Sequence, residues 1–290
     1  MRVRTIEFEL KSRDDEFIVV PVGDVHLGHA ATDEVRLGNT FDYIAKTPNA
    51  HWIGMGDYGD FVSRSDKRRF SVGALAPWIE LGHVTDVVRV QRDRFLSMSK
   101  PVAKKCLGFV EGNHEREVAK HYDRDVYAEM VEALNEAGQH ANTLKLGYTG
   151  WINLVFRREV GGPSTRKGGT STIQIKVHHG YGGGKSAGGK ATNLQRLLHT
   201  CSADIVIVGH THDVRWQPEG YEEFSRGKVI HTTRHGIVSG TYLRSTLPDG
   251  SPTYAEEAQY PPLGLADIKL VLRPGLETTA RRIEIVATSV

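Results

Sequence analysis

The chain has 290 residues, of which 39% are hydrophobic and 25% are charged, and its formal net charge is +2. This length can bury a substantial core, and the near-neutral charge lacks the clear basic excess of most nucleic-acid-binding proteins. No apolar run approaches the roughly 18 residues that a membrane helix needs, so we exclude an integral membrane protein and expect no membrane partner.

The cysteines and the N-terminus point to an ordinary intracellular protein. Cys106 and Cys201 are the only cysteines, and their separation fits neither a disulfide framework nor a zinc–thiolate site, so we expect buried free thiols. The first residues alternate polar and apolar side chains and lack the unbroken apolar core of a secretory signal. The expected compartment is the cytoplasm.

Four segments share one pattern, an apolar run that ends in a glycine-containing loop with Asp, Asn or His. They are residues 17–26, 51–60, 105–115 and 203–212. Helices are predicted between the first three, over 34–47 and over 85–105, the second ending before Pro101 or continuing through it with a kink. Alternation of strands and helices predicts a largely parallel sheet flanked by helices.

The later part of the chain changes character. Helical spacing predicts one helix over residues 115–138, with Gly138 as its C-cap. Strands are predicted over 151–160 and 170–180, and a further helix over 191–200. Residues 228–243, 265–274 and 280–288 also alternate as strands do, so the C-terminal third should be rich in β-structure. We therefore expect an α/β fold in which two packed mixed β-sheets are flanked by helices, formed by residues 1–290 as a single domain with a basic insert around 62–100.

The loops after these strands carry five short motifs. GDVH supplies Asp24 and His26, GDYGD supplies Asp57 and Asp60, GNHE supplies Asn113 and His114, HHG supplies His178 and His179, and GHTH supplies His210 and His212. This set resembles the calcineurin-like metallophosphoesterase family, whose motifs occur here in the same order over residues 24–212. Each motif alone is weak evidence, whereas five in order at the ends of predicted strands form a specific signal.

The resemblance implies a pair of divalent cations. One would be held by Asp24, His26 and His212, the other by Asn113, His179 and His210, and Asp57 would bridge both. Two cations roughly 3.5–4 Å apart can lower the pKa of a bound water to give hydroxide and can clamp phosphoryl oxygens. Nitrogen and oxygen ligands without thiolates favour Mn²⁺, with Fe, Zn or Ni as alternatives, over Ca²⁺ or Mg²⁺.

The resemblance also gives His114 a role in catalysis. In the family the histidine after the Asn protonates the leaving oxygen or binds substrate as a cation, and Asp60 is spaced to pair with it. Such an ion pair would raise the pKa of His114 and keep it protonated, as a general acid requires. Asp60 could instead be a loop carboxylate that makes a turn. His178 and His235 receive no role.

Residues 180–192 form a glycine-rich stretch that nearly fits a P-loop. Ala191 stands where the magnesium-binding hydroxyl of a P-loop belongs, so we reject a nucleotide-binding module of that kind. The stretch is either a loop that opens a helix, or a loop beside His179 whose Lys185 and Lys190 bind substrate phosphate.

The basic residues of the chain bear on the class of substrate. Basic residues cluster in the insert, at residues 67–69 and at Arg89, Arg92 and Arg94, and they are either a solvated face or a track for a polyanion, with Trp78 and Tyr58 as stacking surfaces. We therefore expect a phosphodiester of a nucleic acid or nucleotide as substrate. The alternatives are a phosphomonoesterase acting on small molecules or phosphoproteins, and a non-catalytic scaffold of the same fold.

Overall fold

The structure is a computed structural model. It describes residues 1–12, 14–67, 69–158, 169–182, 187–225, 227–247, 250, 256, 266–274 and 282–289. Within these ranges the chain forms twelve β-strands and five α-helices. The strands are β1 (Arg2–Leu10), β2 (Phe17–Val22), β3 (Ala50–Gly54), β4 (Cys106–Val110), β5 (Lys145–Gly147), β6 (Thr149–Arg158), β7 (Thr170–His178), β8 (Ile205–Val208), β9 (Val214–Ser225), β10 (Lys228–Ser239), β11 (Ala266–Arg273) and β12 (Arg282–Ser289). The helices are α1 (Glu34–Lys46), α2 (Val87–Ser99), α3 (Asn113–Tyr122), α4 (Val126–Gly138) and α5 (Ala187–His199).

The strands form two six-stranded mixed sheets. Sheet I has the order β12-β11-β2-β3-β4-β5, and its central strands β2, β3 and β4 are parallel. Sheet II has the order β1-β6-β7-β8-β10-β9, and β7, β8 and β10 are parallel. The predicted two-sheet α/β fold is confirmed.

The main core lies between the two sheets. Strands bury alternate side chains against the facing sheet, and fully buried examples are Val19 and Ile53 in sheet I and Ile175 and Ile207 in sheet II. Each such side chain contributes about 1.5–3 kcal/mol to stability. The outer face of sheet I is covered by α1, α2 and α4, and that of sheet II by α5. Both sheets therefore hold the ends of their parallel strands in fixed positions.

The predicted helices differ from the observed ones in their ends. Helix 34–47 is confirmed as α1. The predicted helix 85–105 is α2 followed by a 3-10 helix, Lys100–Lys105, with Pro101 in its first turn. Pro101 lacks the N–H that an α-helix would need there, so the chain tightens at this point.

The single helix predicted over 115–138 is wrong. The chain breaks at Asp123, which takes a left-handed conformation (φ 56°), and Asp125 then caps α4 by accepting a hydrogen bond from the N–H of Ala128. Gly138 is the last helical residue, and the left-handed cap is Gln139 (φ 54°). Strands β1, β5 and β9 were not predicted. No helix in the described ranges is long and apolar enough to cross a bilayer.

Candidate metal centre

The candidate ligands lie in loops at the carboxyl ends of strands from both sheets. Asp24 and His26 follow β2, Asp57 follows β3, and Asn113 begins α3 three residues after the end of β4. From sheet II, His179 follows β7, while His210 and His212 follow β8. Because the carboxyl ends of parallel strands meet at one edge of a sheet, and the two sheets are packed face to face, these loops converge.

The backbone at these loops is unusual. Five of the candidate ligands are non-glycine residues with positive φ, namely Asp24 (48°), His26 (50°), Asp57 (53°), His210 (69°) and His212 (52°). This left-handed region costs an L-residue on the order of 1–3 kcal/mol and is tolerated where the surroundings fix it. Each loop is fixed by hydrogen bonds, such as those from Asp24 N to Gly56 O (2.9 Å) and from His26 N to Asp57 O (3.0 Å).

One group of donor atoms joins Asp24, His26 and His212. Their candidate ligand atoms all lie within 4.8 Å of one another. Nε2 of His26 is 3.0 Å from Nε2 of His212, which in turn is 3.5 Å from Oδ1 of Asp24. The Asp24 carboxylate also accepts hydrogen bonds from the backbone N–H of His210, with N···O distances of 3.0 and 2.8 Å. The loop after β2 is thereby tied to the loop after β8.

A second group joins Asp57, His179 and His210, again with ligand atoms within 4.8 Å of one another. Nε2 of His179 lies 3.2 Å from Oδ2 of Asp57 and 2.9 Å from Oδ1 of Asn113. The other ring nitrogen of His179, Nδ1, donates to the carbonyl of Met55 at 2.8 Å. That hydrogen bond orients the ring so that Nε2 faces Asp57 and Asn113.

Asp57 lies between the two groups. Its Oδ2 is 3.2 Å from Nε2 of His179 and 3.9 Å from Nε2 of His26, while its Oδ1 accepts a hydrogen bond from the N–H of His114 at 2.9 Å. The structure thus brings together all seven residues that the resemblance implies as ligands. Their donors are imidazole nitrogens, carboxylates and one amide oxygen, a set that fits two adjacent divalent transition cations.

The electrostatics of the site are dominated by burial and by Asp57. Burial opposes ionisation of Asp57, but the surrounding histidines, led by His114 and His179, hold its pKa well below the ordinary value. Burial likewise lowers the pKa of His179, but the Asp57 carboxylate outweighs it and raises that pKa to about 10. Burial lowers the pKa of His26 to about 4, so its ring is neutral and ready to act as a ligand.

His114 lies beside this centre. Its Nδ1 donates a hydrogen bond to the backbone carbonyl of Asp60, and its ring packs edge-on against His26 with centroids 4.6 Å apart. The Asp60 carboxylate is farther away, 4.0 Å from Nδ1 of His114 and 3.7 Å from Nδ1 of His26. The predicted pairing thus takes a different form, because the main chain of Asp60 makes the hydrogen bond and its carboxylate contributes charge to both histidines.

Glu115 is a site residue to which sequence reasoning gave no role. Its fully buried carboxylate accepts hydrogen bonds from the backbone N–H groups of Asp57 (3.0 Å), Tyr58 (2.8 Å) and Gly112 (2.8 Å). It therefore clamps the loop after β3 to the loop after β4. The sequence signal that could have identified Glu115 was its position as the last residue of the GNHE motif.

Of the two lysines predicted to bind substrate, the structure describes Lys190 alone. Lys190 is in α5, where Nζ donates to the carbonyl of Thr211 at 3.1 Å and lies 3.9 Å from the Asp213 carboxylate. It therefore supports the loop that carries His210 and His212. Lys185 lies outside the described residues. The helix predicted to begin at 191 already includes residues 187–190.

The two unassigned histidines have structural contacts. Nδ1 of His178 accepts a hydrogen bond from the N–H of Gly180 at 2.8 Å, which shapes the turn after β7. His235 is buried in β10, and its Nδ1 accepts from Nε1 of Trp216 at 3.1 Å.

The basic insert is largely neutralised by the protein itself. Arg89 pairs with Asp86, Arg92 with Asp93 and Glu129, and Arg94 with Glu34. Trp78 donates to Glu34 and lies under the Arg94 guanidinium, 4.6 Å from ring centroid to Cζ. Arg68 lies outside the described residues.

The proposed stacking role of Tyr58 is wrong. Its side chain is fully buried, and its hydroxyl donates to the carbonyl of Val110 at 2.7 Å. The ring stacks on Phe109 with centroids 4.0 Å apart, so it belongs to the core under α2 and cannot meet a nucleobase.

Comparison with known proteins gives structural neighbours only. The chain matches no family model and no curated protein sequence. Among solved structures it is similar to a predicted phosphoesterase from Streptococcus pneumoniae TIGR4, with 12% identity, a TM-score of 0.34, and coverage of 94% of this chain and 90% of that one. It is also similar to Pseudomonas putida nuclease MPE, with 16% identity, a TM-score of 0.29, and coverage of 92% and 87%. A metallophosphoesterase from Sphaerobacter thermophilus shares 11% identity with a TM-score of 0.35, over 94% of this chain and 88% of that one.

These identities and TM-scores are too low to transfer an activity to this chain. What the structure itself adds to the motifs is the two-sheet fold and the convergence of the motif loops at the carboxyl ends of β2, β3, β4, β7 and β8. In its fold and in the order of its site residues, the chain resembles the calcineurin-like metallophosphoesterases.

Proposed function

We propose that this protein is a phosphoesterase that binds two divalent cations, with Mn²⁺ as the first choice, and hydrolyses phosphate esters. The observation that carries the proposal is the position of Asp57, whose Oδ2 faces Nε2 of His179 at 3.2 Å and Nε2 of His26 at 3.9 Å. The Asp57 carboxylate thus lies between two clusters of nitrogen and oxygen donors, a position that would suit it to bridge two cations.

The proposed ligands are divided as the resemblance to the calcineurin-like metallophosphoesterases implies. Asp24, His26 and His212 would hold one cation, and Asn113, His179 and His210 the other. When bound, such a pair supplies a hydroxide nucleophile near neutral pH and compensates the charge of the phosphoryl oxygens. The chain's own contribution is to fix the ligand positions, through the Met55 carbonyl on His179 and the backbone N–H of His210 on Asp24.

His114 is the proposed general acid. Its Nδ1–H is committed to the carbonyl of Asp60, which leaves Nε2 as the nitrogen that can deliver a proton to a leaving oxygen. Burial opposes protonation, but the carboxylates of Asp57 and Asp60 outweigh it, so the pKa of His114 is raised. After transfer the ring is neutral and keeps Nδ1–H on Asp60, so the same hydrogen bond holds the ring before and after the step.

For the substrate we propose a small phosphodiester, such as a nucleotide diester, in preference to a long nucleic acid. The arginines of α2 that could track a phosphate backbone are paired with carboxylates of this chain, and Tyr58 is buried. Long-chain binding would have to break those ion pairs. The sequence GDYGD is followed by Phe61, where phosphoprotein phosphatases have an Arg, which argues against a phosphoprotein.

A phosphomonoester is the second candidate substrate. Additional cations beside the metal centre would favour a dianionic phosphate, and Arg116 supplies one such cation, with its guanidinium 5.1 Å from the ring centroid of Tyr148. Hydrolysis of bis-p-nitrophenyl phosphate and of p-nitrophenyl phosphate separates the two substrate classes.

Metal stoichiometry and turnover together test the proposal. The metal-stripped protein is loaded with Mn²⁺, its metal content is measured by elemental analysis, and both p-nitrophenyl esters are assayed. We expect two ions per chain in the parent, and Asp57→Asn should disturb both sites because its carboxylate is shared. Asp42→Asn, an exposed carboxylate of α1 paired with Lys46, is the matched control and should behave as the parent does.

Three outcomes would overturn the proposal in different ways. One ion per chain at saturation would remove the binuclear centre. If Asp57→Asn still bound two Mn²⁺ ions per chain, Asp57 would not be a bridging ligand. Two ions without turnover of any phosphate ester would support the non-catalytic scaffold.

A further inference from the structure

Arg116 lies one turn into α3 from Asn113. Residues three apart on a helix share a face, so Arg116 is on the face of α3 that Asn113 turns toward His179. Its guanidinium lies over the ring of Tyr148, with Cζ 5.1 Å from the ring centroid. The ring of Tyr148 in turn packs edge-on against His179, with centroids 5.4 Å apart. The helix position and the contact with Tyr148 therefore both place this guanidinium beside the proposed metal centre.

Tyr148 is itself held in place. It precedes β6, and its hydroxyl donates to the carbonyl of Gly180 at 2.8 Å, while its backbone carbonyl accepts from the N–H of His179 at 3.1 Å. Both contacts are with the turn that carries His179. The aromatic surface under Arg116 is consequently fixed relative to a proposed metal ligand, which reduces the entropy lost when the guanidinium binds an anion.

The guanidinium of Arg116 is only partly compensated, because the Glu111 carboxylate interacts with it electrostatically from beyond ion-pair distance. Among the described residues, no carboxylate lies within ion-pair distance of its guanidinium, and its side chain is exposed. Three other cations of the chain have partners of their own, since Lys190 binds the Thr211 carbonyl, Arg215 lies 3.4 Å from Asp213, and Arg244 pairs with Asp33 at 3.0 Å. An exposed arginine stacked at the edge of a site and held in no direct ion pair among the described residues is suited to bind an anion that arrives from solvent.

We propose that Arg116 is a substrate-binding residue that donates hydrogen bonds to a non-bridging oxygen of the phosphoryl group, on the His179 side of the centre. The planar guanidinium can offer two parallel N–H groups to phosphate, which a lysine cannot. This inference rests on the proposed function, because it assigns Arg116 to the phosphate ester hydrolysed there. Product phosphate would use the same contact.

Binding of inorganic phosphate tests the inference without turnover. Isothermal titration calorimetry of the Mn²⁺-loaded protein should give a phosphate dissociation constant that rises roughly 10- to 100-fold in Arg116→Ala, the range of one or two charge-assisted hydrogen bonds. Arg116→Lys keeps the positive charge but lacks the two parallel N–H groups. Its phosphate dissociation constant should lie between those of the parent protein and of Arg116→Ala. Lys120→Ala is the matched control, because Lys120 is a cation of the same helix that pairs with Glu117 at 3.8 Å, and it should leave phosphate binding unchanged.

Kinetics add a second readout, and the outcomes separate this inference from the proposed function. Arg116→Ala should keep two metal ions per chain and should lose more in kcat/KM on p-nitrophenyl phosphate, a dianion, than on the monoanionic diester. Unchanged phosphate binding and unchanged kinetics in Arg116→Ala would overturn the inference while leaving the proposed function intact. Loss of metal from Arg116→Ala or Arg116→Lys would also overturn it, since the arginine would then support the centre. A parent protein that hydrolyses neither ester contradicts the proposed function instead.

Discussion

The carboxylate of Asp57 and the imidazole of His179 form a buried ion pair, with Oδ2 3.2 Å from Nε2 and neither side chain more than 1% exposed. A buried charge is costly unless it is paired, so in the metal-free protein the proton on His179 compensates Asp57. A cation that takes Nε2 of His179 as a ligand must displace that proton. Metal binding and proton release are therefore coupled at this pair.

Metal uptake should release a proton from His179. Its pKa is raised to about 10, so the ring is protonated in the metal-free protein at pH 7.5 and neutral once it is a ligand. The affinity for Mn²⁺ should consequently increase as the pH rises toward 10. Calorimetric titrations at pH 7.5 in buffers of different ionisation enthalpy measure the proton count. His121→Gln, an exposed histidine of α3, should not alter that count, and a binding enthalpy independent of the buffer would contradict the coupling.

His114→Ala should separate acid catalysis from metal binding. We expect two bound ions and a loss of roughly 10²–10⁴-fold in kcat on a diester with a poor alkyl leaving group, the range of general acid catalysis. The loss should shrink on p-nitrophenyl esters, whose leaving group needs little protonation. Side-by-side kinetics on the two leaving groups, with metal analysis of the same samples, check this. Equal losses on both would mean that His114 binds phosphate or supports the loop.

Glu115→Ala should destabilise the protein strongly. The change strands the N–H groups of Asp57, Tyr58 and Gly112, and one unsatisfied buried donor costs about 1–3 kcal/mol. We expect a loss of about 3 kcal/mol or more in the free energy of unfolding, measured by urea titration of the metal-free protein. Glu117→Ala removes a partly exposed carboxylate two residues further along α3 and should change stability by less than about 1 kcal/mol. If Glu115→Ala and Glu117→Ala lost similar free energies of unfolding, Glu115 would not clamp the two loops.

Replacing cations of the insert should leave small-ester hydrolysis unchanged. Lys67 is exposed, and Arg69 pairs with Asp66 on the surface at 2.5 Å. If Lys67 and Arg69 nevertheless contacted a phosphate backbone, Lys67→Ala combined with Arg69→Ala would change the binding of single-stranded DNA. The slope of log affinity against log salt concentration would flatten by about 0.7 per lost contact. We expect no such change. A flattened slope, measured by fluorescence anisotropy at several salt concentrations, would favour a nucleic acid over a small phosphodiester as the substrate.

The sequence predicted the parts of the fold that rest on local patterns. Apolar runs that end in Gly-Asp, Gly-Asn-His or Gly-His mark strands and their loops without reference to the rest of the chain, and the strands predicted in the C-terminal third indicated a second sheet. The break between α3 and α4 was missed because Val118 and Val126 keep helical spacing across it. What ends α3 is the left-handed Asp123, and capping by Asp125 then begins α4, which apolar periodicity does not register.

The site shows where sequence reasoning has to stop. The family resemblance implied which side chains would meet, and the position of each motif at a predicted strand end agreed with it. It could not show that the Asp60 carbonyl, and not its carboxylate, would hold His114, since main-chain contacts carry no sequence signature. Arg116 was likewise invisible, because its position over Tyr148 depends on the packing of α3 against the residue that precedes β6.

The five proposed ligands with positive φ make the centre a place where stability and activity compete. Glycine at any of these positions would remove the free-energy cost of the positive φ, but it would also remove the metal-ligating side chain. A selection for thermal stability alone, run without metal, should therefore accumulate glycine at positions such as His210 and His212 and discard the centre. A selection run with metal present should keep them, because the free energy of cation binding then counts toward the folded state.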